Sequence, residues 1–208
     1  MSTKVNLYAD QGTDFRTTIE LFDGDNDESD AHALWNIGLG EPHFVSALHG
    51  RGSGDLLDAI VRLIPEVGAA QVQDGYRRIA LIGRPNVGKS TLMNQLVGEK
   101  LSIVTSKAQT TRHRIMGIVN NEDHQVVFSD TPGVLDPHYK LHENMMQFVN
   151  SALKDADVIL FVTDIYENGL NHQETFDRLQ KTDIPILLLI NKIDQGDEPR
   201  IIEKIEYW

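Results

Sequence analysis

The sequence contains no cysteine among its 208 residues. Disulfides, thiolate metal sites and cysteine nucleophiles are therefore excluded, and a reducing cytoplasm is the expected location. The sequence also lacks any apolar run near the roughly 20 residues that a membrane-spanning helix requires. Its longest run, IPILLLI at 184–190, suits a buried strand. The first ten residues do not resemble a secretory signal. We therefore expect no membrane partner.

The sequence also has few basic residues relative to its acidic ones. The chain has 19 Lys and Arg against 31 Asp and Glu, a net charge of −12. Proteins bind polyanions through clustered basic side chains, which displace counterions from the phosphates. The most basic cluster in the sequence is modest and mixed with polar residues, namely Lys100, Lys107, Arg112 and Arg114. We therefore expect no direct, high-affinity RNA binding from this chain alone.

Residues 1–30 form an acidic, poorly defined N-terminal segment. Three aspartates in DGDNDESD (23–30) copy the first ligand positions of a calcium loop. However, Glu28 replaces the sharp-turn glycine of that loop and Leu34 replaces its closing glutamate. An acidic, solvated linker is therefore the favoured interpretation of this stretch.

A regular pattern begins at residue 31. Residues 31–66 predict a short helix, a strand (EPHFVSA) and a second helix (SGDLLDAIVRLIP) with Ser53 as its N-cap. The apolar stripe of this second helix contains Leu56, Leu57, Ile60, Val61 and Ile64. A polar linker follows at 67–77. From 78 to 208, apolar strands alternate with helices, which predicts an α/β fold with a mostly parallel, doubly wound sheet and helices on both faces.

The stretch GRPNVGKS at 83–90 fits the phosphate-loop pattern G-x-x-x-x-G-K-S and lies between a predicted strand and a predicted helix. In such a loop backbone N–H groups converge on phosphates and the helix points its positive end at them. The lysine reaches the β and γ phosphates and the serine hydroxyl ligates Mg²⁺. The candidate residues are Asn86, Val87, Gly88, Lys89, Ser90 and Thr91. An ordinary glycine turn before a helix is the alternative, which this context disfavours.

Two further motifs narrow the choice of nucleotide. In FSDTPG, Asp130 follows an apolar strand and can orient Mg²⁺ through water, while Gly133 offers a backbone N–H to the γ-phosphate. In NKID, which contributes Asn191 and Lys192, the carboxylate of Asp194 can accept both the N1–H and the 2-amino group of guanine. Adenine would leave that carboxylate unpaired, which can give roughly 10⁴-fold selectivity. We predict a site for GTP and GDP with Mg²⁺; a phosphate-loop ATPase or kinase is disfavoured by NKID.

At this point residues 78–208 resemble the GTPase domain of Era, a bacterial translation-factor-like GTPase. The shared motifs are GRPNVGKST, SKAQTTRHRIMGI (106–118), DTPGV and NKID. Residues 31–66, which contain LGEPHFVSALHGRGSGDLLDAI, instead resemble the end of the first GTPase domain of Der (EngA). The resemblance implies a P-loop NTPase fold (a G domain) and a Mg²⁺-dependent switch that hydrolyses GTP to GDP and phosphate. It links the chain to ribosome assembly, with a ribosomal subunit or assembly factors as partners.

The resemblance also implies residue roles. Thr110 and Thr111 fall in the switch I pattern, and one of them should close over Mg²⁺ and the γ-phosphate. Thr111 is favoured, beside Ser90 and Asp130 as the other magnesium residues. The catalytic set is then Lys89, Thr111, Asp130 and Gly133. Asn86 matches an asparagine that holds K⁺ beside the phosphates in related GTPases. Val134 stands where Ras-like enzymes have a water-positioning Gln. A guanine-nucleotide-binding module without useful turnover is therefore the alternative function.

GTPases of this group also use a Ser-Ala loop, whose backbone N–H contacts the guanine oxygen, between the last strand and the last helix. Residues 42–64 have this composition but precede the phosphate loop. The linker at 67–77 could span roughly 40 Å. We therefore predict a circularly permuted domain in which Ser46 and Ala47 contact guanine. The alternative is that 31–66 is only the remaining end of an upstream domain, and neither the RNA-binding KH domain of Era nor the KH-like domain of Der is expected within this sequence.

Overall fold

The structure is a computed structural model that describes residues 4–10, 14–20, 42–63, 76–105, 111–120, 125–135, 140–167, 173–197, 199–201 and 204. The chain divides into two compact units, one built mainly from Met1–Asn36 and one from Ile37–Tyr207. In the first unit, β1 (Lys4–Asp10) and β2 (Asp14–Glu20) pair antiparallel. The acidic stretch at 23–30 and the short helix predicted after residue 31 lie outside the described residues.

The second unit alternates strands and helices along the chain. Its elements are β3 (His43–Phe44), α1 (Ser53–Leu63), β4 (Tyr76–Ile82), α2 (Lys89–Val97), β5 (Ile115–Asn120), β6 (Gln125–Asp130), α3 (Lys140–Asp155), β7 (Val158–Asp164), α4 (Gln173–Gln180), β8 (Ile186–Asn191) and a 3-10 turn at Ile193–Gln195. Six strands form one sheet in the order β3-β8-β7-β4-β6-β5. All neighbouring pairs are parallel except β5 and β6. The predicted α/β fold with a mostly parallel sheet is confirmed.

Both faces of the sheet are covered, which explains why its central strands are continuously apolar. All seven residues of β7 are buried. Alternate residues of β4 point to opposite faces; Ile79 and Leu81 share a core with residues of α1 and α2. Ala80 and Ile82 are equally buried on the other side, where α3 contacts β4. The helices therefore lie in two layers around the sheet, as a doubly wound fold requires.

Strand β3 forms one edge of the sheet although it precedes the other five strands in sequence. His43 pairs with Leu189 and Phe44 with Ile190, in parallel, and the Val45 N–H donates to the Ile190 carbonyl at 2.9 Å. The segment before the phosphate-loop motif thus lies beside the last described strand of the same sheet.

Helix α1 buries a narrower stripe than its sequence predicts. Leu56 and Ile60 are fully or nearly fully buried, whereas Leu57 and Val61 are 39% and 59% exposed. The prediction that the whole stripe faces the core is wrong for Leu57 and Val61, because an edge helix meets the sheet on one side only. Ile64 lies outside the described residues. Ser53 is also no side-chain N-cap. It is the first helical residue, and its Oγ donates to the Gly50 carbonyl at 2.5 Å.

The carboxyl ends of β4, β6, β7 and β8 lie along one end of the sheet. In open α/β sheets ligands bind outside these carboxyl ends. The motifs at 83–90, 130–133 and 191–194 all follow such ends directly. Within the part of the chain that the structure describes, no helix is long and apolar enough to cross a membrane.

Candidate nucleotide-binding site

The loop between β4 and α2 contains two residues with left-handed backbone conformations. Asn86 has φ 65° and Gly88 has φ 99°, both in the left-handed region that successive anion-binding N–H groups favour. A Cβ on Gly88 would lie 2.2 Å from the Asn191 Nδ2 atom, so this position has no room for a side chain. At Gly133 a Cβ would meet the Pro85 ring at 2.4 Å. The loop is therefore closely packed against both neighbouring motifs.

Lys89 is the first residue of α2 and is only 6% exposed. Its Nζ donates to the carbonyls of Gly83 at 2.9 Å and of Arg84 at 2.7 Å. Burial lowers the pKa of Lys89 to about 8, against the opposing charges of Asp130 and Glu167. Among the described residues no carboxylate is in contact with this buried ammonium group, which is therefore well placed to donate to an anion. The loop thus combines the backbone conformation of an anion-binding loop with a desolvated cation.

Asp130 lies at the end of β6 and is completely buried. Its Oδ2 accepts from the Ser90 hydroxyl at 2.6 Å, from Ser102 at 3.0 Å and from Thr111 at 3.4 Å. Its Oδ1 is buried and has no hydrogen-bond partner among the described residues. An unsatisfied buried carboxylate oxygen is costly and calls for a partner.

This group of oxygens fits a magnesium ion. Mg²⁺ prefers oxygen ligands, usually one or two from carboxylates and hydroxyls together with substrate phosphates and water. Ser90 Oγ and Thr111 Oγ1 lie 3.2 Å apart, beside the same carboxylate. Within the described ranges, no cluster of three acidic or histidine side chains could hold a metal by itself. A magnesium ion here would therefore depend on oxygens from a bound phosphate.

The other end of the site joins two segments that are far apart in sequence. The Ser46 hydroxyl donates to Asp194 Oδ1 at 2.5 Å, and the Ala47 N–H donates to Asn191 Oδ1 at 2.9 Å. The Asn191 amide also donates to the Val87 carbonyl at 2.8 Å. Asn191 therefore ties the Ser-Ala loop to the phosphate-loop motif. The side chain of Asp194 is held in place by a buried hydroxyl.

Both ends open into one cavity of about 450 Å³, a size typical of small-ligand sites. The predicted residues that line it are Ala47, Asn86, Gly88, Lys89, Ser90, Thr91, Thr111, Gly133, Asn191, Lys192 and Asp194. Ser46, Val87 and Asp130 are instead buried behind its wall. The aliphatic side chain of Val134 is buried too, so it cannot reach a water molecule in the cavity.

The structure adds residues that sequence reasoning missed. Asp164, at the end of β7, accepts from Lys192 Nζ at 2.5 Å. The rule that strand ends converge would have identified it, since it stands where Asp130 stands on β6. His49 Nε2 lies 3.7 Å from Asp194 Oδ2. Glu167 is buried beside Arg84, and burial raises the pKa of Glu167. No motif marks His49 or Glu167 in the sequence.

Known proteins match this chain in the region that contains these motifs. Residues 78–192 match the family model described as 50S ribosome-binding GTPase. The chain is 50% identical over 130 residues to GTPase Era of Lactobacillus delbrueckii subsp. bulgaricus, covering 62% of this chain and 43% of the relative. It is 44% identical over 138 residues to GTPase Era of Clostridium kluyveri, covering 66% and 46%. The chain thus spans less than half the length of these curated relatives. Because the family match excludes residues 31–66, the resemblance of that segment to Der is not confirmed.

Two solved structures share the fold. One is Era in complex with MgGDPNP and nucleotides 1506–1542 of 16S ribosomal RNA, with a TM-score of 0.58 and 37% identity. The other is a variant of Aquifex aeolicus Era bound to GDP·AlF4−, with a TM-score of 0.57 and 37% identity. Each comparison covers 64% of this chain and 46% of the solved chain. The predicted P-loop GTPase fold is confirmed.

Proposed function

Because this chain belongs to the family of 50S ribosome-binding GTPases, we propose that it binds GTP and GDP with Mg²⁺ and hydrolyses GTP as a molecular switch. One observation carries the proposal. A single cavity joins the phosphate loop and Lys89 at one end to Asp194 at the other. That arrangement suits a ligand with a polyphosphate at one end and guanine at the other.

At the phosphate end, the residues of this chain provide charge and orientation. In hydrolysis a water oxygen bonds to the γ-phosphorus and the water loses a proton to the released phosphate or to solvent. The bond from that phosphorus to the β–γ bridging oxygen breaks, and GDP takes the electron pair. Negative charge moves onto the bridging and γ oxygens. The backbone amides of residues 86–91, which we propose to face the phosphates, and the Lys89 ammonium would stabilise that charge. The Gly133 N–H would contact the γ-phosphate and so sense whether GTP or GDP is bound.

Magnesium, when bound, would neutralise charge on the β and γ oxygens. Ser90 and Thr111 would ligate it directly, and Asp130 would hold it through water, which would also satisfy the orphaned Oδ1 of Asp130. The hydroxyl of Thr111 lies within reach of both Ser90 and Asp130. With GTP bound, this ion would order the residues around Thr111, and hydrolysis would release them, so the two nucleotide states would differ in conformation.

At the base end, Asp194 would accept the N1–H and 2-amino group of guanine, and Ser46 would fix the rotamer of that carboxylate. Ala47 would approach the guanine oxygen, and the stem of Lys192 would lie along the base. We extend the proposal to domain organisation: residues 42–63 complete the G domain in a circularly permuted order. The pairing of β3 with β8 and the contacts from Ser46 and Ala47 support it.

The rate of GTP hydrolysis is expected to depend on a bound monovalent cation. Val134 offers no polar group to a water molecule, so additional charge has to come from elsewhere. Asn86 lines the cavity in a left-handed conformation, and we propose that it holds K⁺ there. If no cation serves this role, the second candidate function is guanine-nucleotide binding without useful turnover, which the buried aliphatic side chain of Val134 favours.

The partner proposed is a ribosomal subunit or one of its assembly factors, within a reducing cytoplasm. The support is a related Era structure that contains 16S ribosomal RNA. That complex weakens the expectation, based on net charge, that RNA is not a direct ligand. The part of Era that matches this chain is less than half of that protein, so binding to the RNA has to be measured on this chain itself.

Titration with fluorescent GDP and fluorescent ATP in Mg²⁺ tests the nucleotide assignment. We expect binding of GDP, no binding of ATP at the same concentrations, and weaker GDP binding after magnesium chelation. Phosphate release from GTP should be faster in K⁺ than in Na⁺, and Asn86→Ser should remove that difference. Equal affinity for the two purine nucleotides would contradict the proposal. Tight GDP binding without phosphate release in either salt would favour the second function.

A further inference from the structure

The turn at the end of β7, residues 164–167, contacts both halves of the cavity without lining it. On the base side, Asp164 Oδ2 accepts from Lys192 Nζ at 2.5 Å, and the Ile165 N–H donates to the Asn191 carbonyl at 3.3 Å. Asp164 Oδ1 accepts from the Tyr166 N–H at 2.9 Å, which holds the turn in shape. This turn is therefore fastened to the NKID segment.

On the phosphate side, the turn is fastened through Glu167. The side chain of Glu167 is only 4% exposed. Its Oε2 accepts from the Thr163 hydroxyl at 2.7 Å, and its Oε1 accepts from Arg84 Nη1 at 3.3 Å. The buried Lys204 donates to the Glu167 main-chain carbonyl at 2.8 Å. Both carboxylate oxygens and the backbone of this residue are thus held by separate parts of the chain.

Arg84 connects this carboxylate to the phosphate loop. It is the second residue of that loop, and its carbonyl accepts from Lys89 Nζ at 2.7 Å. Pro85 follows and restricts the backbone at this point. Holding the Arg84 side chain therefore restrains the carbonyl to which Lys89 bonds. The contacts run from Glu167 through Arg84 to Lys89, and none of them involves a group that lines the base end of the cavity.

We propose that Glu167 is a positioning residue for the phosphate half of the site, acting through Arg84 on the loop that holds Lys89. The inference rests on the proposed binding of guanine nucleotides. It adds a residue outside all of the nucleotide motifs and gives the turn at 164–167 a function. Through Asp164 and Glu167, this turn sets the position of the two halves relative to each other.

A merely structural role for Glu167 predicts a different result. The ionised carboxylate is disfavoured by burial, so a neutral residue of the same shape should not weaken the fold. Loss of the carboxylate should instead release Arg84 and loosen the phosphate loop alone. The two roles are therefore separable, because one changes stability and all ligands together, whereas the other changes only ligands that reach Lys89.

The test compares GDP with GMP, since Lys89 is placed to reach phosphates beyond the first. In Glu167→Gln we expect the affinity for GDP to fall about fivefold, as for loss of a partly exposed charged contact. The affinity for GMP, measured by competition, should stay unchanged, and the urea midpoint at pH 7 should not fall. Arg84→Gln should reproduce this pattern, and the double variant should lose no more than either single variant. Asp183→Asn, which removes an exposed carboxylate ahead of β8, is the matched control.

Each outcome decides something different. If the unmodified chain fails to bind GDP, the proposed function fails and the inference with it. If the unmodified chain binds GDP but Glu167→Gln weakens GDP and GMP equally, or lowers the urea midpoint in parallel, Glu167 is only structural and the inference is overturned. If the two losses of GDP affinity add in the double variant, Glu167 does not act on the phosphate loop through Arg84. Should Glu167→Gln not fold, Arg84→Gln alone decides, because its side chain is partly exposed.

Discussion

The phosphate half and the base half of this cavity are built in different ways. In the phosphate half, Lys89 bonds to carbonyls five and six residues away in its own loop. In the base half, Ser46 and Ala47 bond to residues 148 and 144 positions away. The bonds of Lys89 are local and depend on the conformation of its loop. The base half exists only when the edge strand β3 is docked beside β8, so the two halves should respond differently to mutation.

The largest effect is expected at the base half from Asp194→Asn. The substitution replaces one acceptor by a donor, which suits the 2-oxo group of xanthine and opposes the 2-amino group of guanine. We expect the preference for GDP over xanthosine diphosphate to change by about 10⁴-fold, as for other sites with a mispaired buried polar group. Competition binding measures the ratio, with Asp183→Asn as control. An unchanged ratio would show that Asp194 does not contact the base.

At the phosphate half, Lys89→Met should reduce GDP affinity by about 100-fold, since hydrogen bonds to charged groups contribute about 1.5–3 kcal/mol. The affinity for GMP should fall much less. Stability of the free protein should not decrease, because burial disfavours the charged form of Lys89. Calorimetric titration and urea unfolding measure the two quantities. A parallel loss of GMP binding would mean that the two halves are not independent.

A smaller effect is expected from Ser46→Ala, which removes the hydroxyl that fixes Asp194. We expect GDP and GMP affinities to fall together by about tenfold, since the hydrogen bond is partly buried and its acceptor is a carboxylate. The equal loss for both ligands is the signature of the base half. Ser151→Ala, an exposed serine on α3, is the control and should bind like the unmodified chain. A loss confined to GDP would place Ser46 in the phosphate half instead.

The smallest effect is expected on the pH dependence of the free energy of unfolding, through Glu167 in the turn at 164–167. In the unfolded chain Glu167 ionises near its ordinary value of 4.5, and burial raises its pKa in the folded state. Between these two pKa values the folded state binds more protons, so the free energy of unfolding falls as pH rises through that window. The curve for Glu167→Gln should lack this fall. Urea unfolding between about pH 4 and 8 compares the two, and superimposable curves would contradict the assignment.

Local motifs account for most of what the sequence predicted. The phosphate loop, the β6 aspartate and NKID each follow an apolar strand, and parallel strands bring their ends together wherever the sheet forms. Apolar periodicity located α1 as well, but it could not give the width of the buried stripe. That width depends on what lies beside the helix, and an edge helix such as α1 leaves Leu57 and Val61 in solvent.

Contacts between distant segments are what the sequence could not predict. Arg84 and Glu167 are separated by 83 positions, and neither their spacing nor their types form a pattern. Ser102 likewise joins the Asp130 carboxylate from a loop without a recognised motif. Such pairs arise from how the loops are arranged once the sheet is assembled. A single sequence contains no record of that arrangement.

The two hydrogen bonds of the Asn191 side chain limit which residues can replace it during evolution. Its amide accepts from Ala47 with oxygen and donates to Val87 with nitrogen, and the residue is only 2% exposed. Aspartate has the same shape but no donor, and leucine has neither group. No other side chain of that length can both donate and accept a hydrogen bond in this geometry. Selection can therefore keep an amide here for the cohesion of three loops, even in a descendant that no longer discriminates between purines.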